Sequence, residues 1–488
     1  MQEIPNLILM SINETRDLVY RLWNDGHKYK DQLQNTKKEL KETKDEFRKI
    51  SEELKKTREE LEKIKKAKEN PKTSKNSSNP PSKDQKANIE PKEPESAEEN
   101  LNKKKDKHRN GGRKLHEKPD AIKELFASTC PHCDSFVDKN SQSLEGVFEN
   151  IELPQIAAII TQIRQYGGTC PCCEKKYKAE LPSELENRSP FGQTVENFII
   201  YMRYSHSISY QRLSILMYEM FQLKISQGAI AEILKRAKAR TKPVIDKIQE
   251  KVRNSEVIYS DETSARTQGQ TQWEWVFQNV DVCLHVIHAS RGAKVIEEVM
   301  GTSKPEVWIS DLYKAQEKHP AQKWQICLAH QIRDCNYGID CGDKIFCPVM
   351  KEIILKAIET RNNFSSMTKE NYLECCEHLK VWLKACLTLM PTEKNGIRLH
   401  KRYLKHRDNM LLFLDDFRIS PTNNSSEQAL RPSVIFRKVT NGFRSDWGRD
   451  FYAAIRSILH TGKRHGLSAY EAIIKALDSP DSFLPALS

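Results

Sequence analysis

The stretch from residue 257 to residue 311 restricts most strongly how this chain folds. Three short apolar runs begin at Val257, Trp273 and Val282, and turn residues separate them. This spacing predicts an antiparallel meander of three strands. A segment with helical spacing and a fourth apolar run follow. The stretch therefore predicts three antiparallel strands connected through a helix to a fourth strand.

An aspartate closes the first and the fourth of these runs. If the two strands lie side by side and parallel, Asp261 and Asp311 meet at one edge of the sheet. Two carboxylates that close repel each other unless a cation lies between them, and Mg2+ prefers such oxygen ligands. Either aspartate alone is typical of a turn. The pair on this strand order predicts a site for two divalent ions that acts on a phosphodiester.

The charge and the apolar pattern bound the class of protein. The chain has 488 residues, a length that favours several domains. Its net charge of +12 favours a polyanionic partner, although a basic balance also fits a merely soluble protein. The N-terminus lacks the basic start and cleavage site of a signal peptide. No apolar run approaches the roughly 20 residues that span a bilayer. We therefore expect a cytoplasmic protein with reduced thiols and no membrane contact.

Residues 1–68 are predicted to form an N-terminal helix and a coiled coil. Between residues 32 and 68, apolar side chains recur every seventh position from Leu33 to Leu61, and a second series follows three places later. Such a pattern is typical of a left-handed coiled coil through which chains self-associate. A single charged helix is the alternative. Residues 69–112 contain few large apolar side chains, which predicts a disordered basic linker.

Two Cys-x-x-Cys motifs predict a zinc-binding domain in residues 113–185. Each short loop directs two thiolates at one ion, and four thiolates leave no open position, so the predicted Zn2+ is structural. Cys172 is an alternative ligand. The long separation between the motifs leaves room for strands, which we expect at residues 143–153 and 155–166. The predicted ligands are Cys130, Cys133, Cys170 and Cys173.

Residues 186–250 are predicted to form a helical DNA-binding region that is helix-turn-helix-like. One helix runs from Ser209 to Phe221, and Ser226 can cap another that ends near Lys238. A helix, a short turn and a basic helix are compatible with a DNA-binding helix-turn-helix motif. A packed helical hairpin is the alternative. The side chains predicted to contact DNA are Lys235 and Arg236.

A large helical insertion at about residues 315–420 is predicted within a catalytic domain that spans residues 251–460. The insertion opens with a short strand that runs into a helix, where Cys327 and His330 fall on one helical turn. We expect this pair to support the site, and a buried structural pair is the alternative. Helices are predicted at residues 349–361, 371–390 and 400–417.

Glu427 is predicted to complete a triad of carboxylates. Thr422 or Asn423 can cap a helix that carries Glu427 in its first turns, although a glutamate there is common because it complements the helix dipole. Basic residues interleaved with aromatic ones follow, which suits phosphate contact and base stacking. Residues 461–488 are predicted to be a helical tail. The side chains predicted to contact DNA are Arg431, Arg437, Lys438 and Arg444.

Taken together, these residues resemble the IS66-type transposases, which are bacterial insertion-sequence enzymes with a DDE site on an RNase H-like fold. The resemblance covers nearly the whole chain. Its most specific motif is TNNSSEQALRP, and one departure is Gln428, where members of the family usually carry arginine. The matching motifs lie at residues 259–263, 273–277, 310–311, 422–432 and 464–468.

The resemblance implies a multidomain α/β fold: an RNase H-like catalytic core with a large helical insertion, preceded by a coiled coil, a zinc-binding segment and a helical DNA-binding region. It implies Asp261, Asp311 and Glu427 as the catalytic triad, with two Mg2+ or Mn2+ ions. The implied partners are double-stranded DNA, which includes the terminal inverted repeats and the target, and accessory proteins encoded by the element. The implied location is the bacterial cytoplasm, at the nucleoid. The alternatives are a non-catalytic DNA-binding repressor derived from a transposase and a DNA nuclease without strand transfer.

Overall fold

The structure is a computed structural model that describes residues 115–483, except 155 and 182–188, and scattered residues between 11 and 52. Of the heptad positions predicted to form the coiled coil, only Thr36 is described, and it is helical. The other heptad positions and the linker lie outside the described residues, so the coiled coil stays a prediction. None of the described helices combines the length and the apolar run needed to cross a membrane.

Residues 115–181 form an open segment around the two cysteine motifs. The second motif lies between β1 (Gly167–Thr169) and β2 (Lys176–Lys178), which pair antiparallel. The first motif lies between Thr129 and Phe136, which pair through an isolated antiparallel bridge. Both motifs are therefore held at the closed end of a small antiparallel pairing.

The strands predicted at residues 143–153 and 155–166 are wrong. The described residues in both ranges form no strand. Their apolar side chains have no sheet or core to bury against, as the exposure of Phe148 (93%) and Ile159 (95%) shows. An alternating pattern stabilises a strand only where a neighbouring strand and a packed face are available.

Three helices lead directly into the central sheet. The third begins after Ser226, the predicted cap, and the second begins after Ser209, which was predicted to be its first residue. Ser209 and Ser226 each accept a hydrogen bond from a backbone N–H in the first turn of the helix that follows. The third helix does not end near Lys238, because its apolar positions continue at helical spacing and stay buried as far as Val252. The helices are α1 (Gln193–Tyr204), α2 (Tyr210–Phe221) and α3 (Gln227–Arg253).

A mixed sheet of five strands follows in the order β5-β4-β3-β6-β7. The first three strands along the chain form an antiparallel meander, α4 (Lys294–Met300) connects β5 to β6, and β6 pairs parallel with both β3 and β7. The predicted strand order and the predicted parallel contact are confirmed. The strands are β3 (Val257–Thr267), β4 (Gln270–Gln278), β5 (Cys283–His288), β6 (Val307–Ser310) and β7 (Lys323–Ile326).

Strand β3 continues past Asp261 to Thr267, so Asp261 does not close this strand as predicted. Because β6 ends at Ser310, the far part of β3 pairs with β4 and, at Thr267, with Phe443 through an isolated parallel bridge. Gln268 and Gly269 connect these two strands with φ values of 51° and 79°. Two successive positive φ angles fit a type I′ turn, which matches the twist of a hairpin.

A helical insertion lies between β7 and the C-terminal helices. The helix predicted at residues 400–417 is instead two helices, because the 3-10 turn Arg407–Asn409 interrupts it with an aspartate and an asparagine, both poor helix formers. The backbone N–H of Leu328 donates to the carbonyl of Pro421 at 2.9 Å, which joins the two ends of the insertion. Its helices are α5 (Leu328–Asp340), α6 (Cys347–Asn362), α7 (Lys369–Cys386), α8 (Lys394–His406) and α9 (Leu412–Asp415).

The C-terminal helices cover one face of the sheet. Helix α10 packs across β3 and β4, and α11 packs across β5 and along α3. The described part of the region predicted at residues 186–250 therefore packs through α3 on the same unit as the sheet. The helices are α10 (Asn424–Thr440), α11 (Asp446–Arg464), α12 (Ala469–Asp478) and α13 (Pro480–Phe483).

We expect Gly442→Ala to lower the free energy of unfolding by about 2–4 kcal/mol, because a left-handed backbone penalty adds to overpacking. Gly442 has φ +94°, and a Cβ there would lie 2.6 Å from the carbonyl oxygen of Arg266. Gly466→Ala is the matched control, since Gly466 has φ +75° and nothing within 4 Å of its Cβ position. Urea denaturation measures both variants, and equal losses would contradict the close contact.

Candidate active site

Two aspartates meet where the parallel pairing of β3 and β6 ends. The register of these strands, continued by two residues, sets Asp261 opposite Asp311. Burial, and then the negative charge of Asp311, raise the pKa of Asp261 well above its usual range. The Oδ1 atom of each aspartate accepts a backbone N–H, from Glu262 at 2.8 Å and from Tyr313 at 3.0 Å. The backbone thus orients two carboxylates that repel each other.

The first turn of α10 places Glu427 beside His330 and Arg333 of α5. Glu427 Oε1 lies 3.7 Å from His330 Nε2, and Glu427 Oε2 lies 3.6 Å from the guanidinium of Arg333. The charges of Glu427 and Asp311 both raise the pKa of His330, and His330 in turn lowers that of Asp261. One imidazole therefore interacts with all three predicted carboxylates.

His330 carries a proton in this arrangement. Burial by itself would lower the pKa of His330, but its hydrogen bond to Cys327 and the surrounding negative charges outweigh burial and raise the pKa to about 9. His330 Nδ1 lies 3.3 Å from Cys327 Sγ, which confirms that the two residues meet on one helical turn. Near neutral pH the imidazolium is a counter-cation for the carboxylates.

Asn423 fixes the start of α10 to the sheet. It is the N-cap residue, but its side chain does not accept a helix N–H as predicted. Its Nδ2 instead donates to the carbonyl of Ser260 at 2.8 Å, and its Oδ1 accepts from Ser426 Oγ at 2.7 Å. Its backbone N–H donates to Cys327 Sγ at 3.1 Å. The buried amide therefore links the helix of Glu427 to the residue that precedes Asp261.

Two charged groups beside the site were missed from the sequence. Arg333 lies three residues after His330, so helical spacing on α5 was a sufficient signal. Glu262 is buried beside Asp261, where it accepts hydrogen bonds from Arg291 at 2.9 Å and from Gln316 at 2.9 Å. Arg291 follows β5, and no local pattern connects it to Glu262.

The basic side chains predicted to contact DNA fall into two groups. Arg437 donates hydrogen bonds to the carbonyl and hydroxyl oxygens of Ser264, so it connects α10 to β3. Arg236 forms an ion pair of 3.0 Å with the buried Glu196, so it ties α3 to α1. The remaining side chains are exposed, although Lys235 Nζ lies 4.0 Å from Glu232 Oε1; they are Lys235, Arg431, Lys438 and Arg444.

The two cysteine motifs have the same backbone turn. The residue after the second cysteine has a positive φ in both, 57° for Asp134 and 56° for Glu174. The N–H of that residue donates to the carbonyl of the first cysteine, Cys130 or Cys170, at 2.9 Å in both motifs. Two remote segments thus adopt one loop conformation.

Hydrogen bonds within each turn favour thiolates. Those from Ser135 lower the pKa of Cys133, and those from the backbone N–H groups of Cys173 and Cys172 lower the pKa of Cys170. A thiolate is the form that binds metal. Within the described part of the chain, the close groups of three or more metal-binding side chains do not include these cysteines, so the shared zinc ion stays a prediction.

The comparison with known families identifies the chain. The sequence profile of the transposase IS66 family matches residues 188–450, which is more than half of the chain. The chain therefore belongs to the IS66 family of transposases, a class of proteins that process DNA, and the resemblance read from its motifs is confirmed. The matched region contains Asp261, Asp311 and Glu427. A comparison with curated protein sequences returned no match.

We expect Asn423→Ala to lower the free energy of unfolding by about 1–3 kcal/mol, because it leaves the buried carbonyl of Ser260 without its donor. Asn424→Ala is the control, since Asn424 is exposed on the same helical turn, and we expect it to change stability by about 0.5 kcal/mol or less. Urea denaturation followed by tryptophan fluorescence measures both variants. Equal effects would mean that the Asn423 amide does not anchor α10.

Proposed function

We propose that this protein is a DDE transposase that cuts DNA at the ends of an insertion sequence and joins those ends to target DNA. The proposal rests on the approach of Asp261, Asp311 and Glu427 to His330 in a member of a transposase family. An RNase H-like core is supported by a sheet of three antiparallel strands followed by two parallel ones. The carboxylates come from β3, from the end of β6 and from α10.

The carboxylates fit divalent cations. Burial and the charge of Asp311 raise the pKa of Asp261, and Glu427 Oε1 is buried without a hydrogen-bond partner in the described residues. A cation among these oxygens relieves both costs, and carboxylate oxygens are the donors that Mg2+ and Mn2+ prefer. When bound by Asp261, Asp311 and Glu427, two such ions supply an activated water and stabilise the attacking and leaving oxygens of a phosphodiester displacement.

The residues of the chain position these carboxylates for two successive displacements. His330 holds a proton on Nε2 towards Glu427, and Arg333 adds a second positive charge that can face a phosphate. In the first displacement, water cleaves the strand at the element end and leaves a 3′-hydroxyl. In the second, this hydroxyl attacks a phosphodiester of the target. The sequence of steps needs no covalent bond between protein and DNA.

The proposed partners follow from the exposed charge and the heptad pattern. The exposed basic side chains Lys235, Arg431, Lys438 and Arg444 would neutralise phosphates of the terminal inverted repeats and of the target. The coiled coil of residues 32–68 would pair two protomers. We place the protein at the bacterial nucleoid, where accessory proteins encoded by the element would join it.

We expect Asp261→Asn, Asp311→Asn and Glu427→Gln each to reduce DNA cleavage by ~10³-fold or more, because the two bound metal ions would supply several kcal/mol of transition-state stabilisation. The assay follows labelled DNA that carries the terminal repeats, with and without Mg2+, and a gel shift checks that end binding persists. Asp408→Asn is the control, since that carboxylate is 88% exposed in the insertion. Undiminished cleavage by any triad variant would refute its assigned role.

The same assay separates the two alternative functions. A repressor would bind the repeats and leave them uncut with any divalent metal. A nuclease would cut them but would not join a precleaved end with a free 3′-hydroxyl to target DNA. We expect both cleavage and joining from the unmodified chain.

The two cysteine turns are proposed to share one structural Zn2+, which would compensate for the missing apolar core of residues 115–181. We expect Cys173→Ser to remove about one zinc per chain and to make this segment sensitive to protease, because structural zinc supplies folding free energy. Cys172→Ser is the matched control and should retain the metal. Elemental analysis measures the zinc content. If Cys172→Ser lost zinc and Cys173→Ser kept it, Cys172 and not Cys173 would be the ligand.

A further inference from the structure

A second group of metal-binding side chains lies on the same sheet, outside the carboxylate site. It consists of Cys283 and His285 on β5 and His460 on α11, and the three candidate ligand atoms lie within 4.8 Å of one another. Asp261, Val276 and His285 occupy one cross-strand row. Because neighbouring strands are about 4.8 Å apart, His285 lies about 10 Å from Asp261, with a valine between them.

The distances in this group suit one tetrahedral ion. His285 Nε2 lies 2.8 Å from His460 Nδ1, and Cys283 Sγ lies 3.5 Å from His285 Nε2 and 3.9 Å from His460 Nδ1. Tetrahedral Zn2+ with ordinary bond lengths separates two nitrogens by about 3.3 Å and a nitrogen from a sulfur by about 3.6 Å. Shifts of about half an ångström would therefore complete three bonds to zinc.

The surroundings orient His285 as a ligand. Its Nδ1 lies 2.9 Å from Glu274 Oε1, so this nitrogen carries the proton and the Nε2 lone pair faces the other ligands. A carboxylate behind a histidine is the usual outer partner of a zinc ligand. Ser433 donates to the same Glu274 oxygen at 2.7 Å, and Tyr452 donates to Ser433 at 2.8 Å. Glu274 is 2% exposed, so the support is rigid.

We propose that Cys283, His285 and His460 bind one Zn2+, with a water molecule in the fourth position, and that this ion fastens α11 to β5. A thiolate with two imidazoles is a borderline-soft donor set that suits zinc rather than Mg2+. With the thiolate of Cys283 and the carboxylate of Glu274, the ion forms a locally neutral unit. The site does not depend on the proposed transposase chemistry.

Arg456 would compete with the proposed ion for His460. Its guanidinium donates to His460 Nε2 at 2.5 Å, which leaves the proton of that ring on Nδ1. Binding of zinc would require the thiol proton of Cys283 to leave to solvent and the His460 proton to move from Nδ1 to Nε2, where it would displace the hydrogen bond from Arg456. It follows that Arg456→Gln, whose amide oxygen can accept the Nε2 proton, binds zinc several-fold more tightly than the unmodified site.

The test uses the full chain with Cys130, Cys133, Cys170, Cys172 and Cys173 replaced by serine, so that zinc at the two cysteine turns is removed. After growth with added zinc, we expect elemental analysis to find about one zinc per chain. Cys283→Ser and His460→Ala should each remove it. Cys376→Ser should keep it, since Cys376 is a buried cysteine in the insertion and belongs to no metal-binding group within the described residues.

Cobalt substitution identifies the ligands. We expect Co2+ in the five-serine chain to show a thiolate-to-cobalt charge-transfer band that Cys283→Ser abolishes, and Arg456→Gln to compete better for zinc against a chelator. If the five-serine chain fails to fold, judged by circular dichroism, the comparison is made between the natural chain and its His460→Ala variant, which should differ by about one zinc. A folded five-serine chain without zinc in excess metal, or zinc that survives both Cys283→Ser and His460→Ala, overturns the proposal.

Discussion

The parallel pairing of β3 with β6 is the constraint on which the carboxylate site depends. Because β6 ends at Ser310 and β3 continues, the shared part of the two strands stops just before Asp261 and Asp311. Backbone geometry therefore sets the two side chains against each other. The third carboxylate lies on a helix whose N-cap residue, Asn423, donates a hydrogen bond to the carbonyl of Ser260. Three groups distant in sequence thus share one anchoring point.

The site is also an electrostatic compromise. Burial and the negative charge of Asp311 destabilise the ionised form of Asp261, as its raised pKa shows. The protonated His330 and Arg333 offset part of this cost. Under the proposed function, this cluster would bind cations and phosphates, so the feature that destabilises the fold would also be the one that serves the reaction.

Much of this arrangement could be predicted from local patterns, and the failures share one cause. The strand order, the Ser226 cap and the Cys327–His330 turn depend on neighbours in the chain. The polar half of β3 carries no alternation signal, yet it pairs because β4 provides a partner. Asn423 was expected to cap its own helix, but its amide bonds to a carbonyl 163 residues away. Arg236 was predicted to contact DNA, but it forms an ion pair with Glu196 of α1. Long-range partners decided each case.

The hydrogen bond between Leu328 and Pro421 closes the helical insertion at its base. The cost of closing a loop grows only slowly with its length once its ends are held together. Evolution can therefore lengthen, shorten or exchange the whole module at this junction, while the strands and α10 keep their relative positions. This junction is where related chains can acquire additional segments while the arrangement of the three carboxylates stays the same.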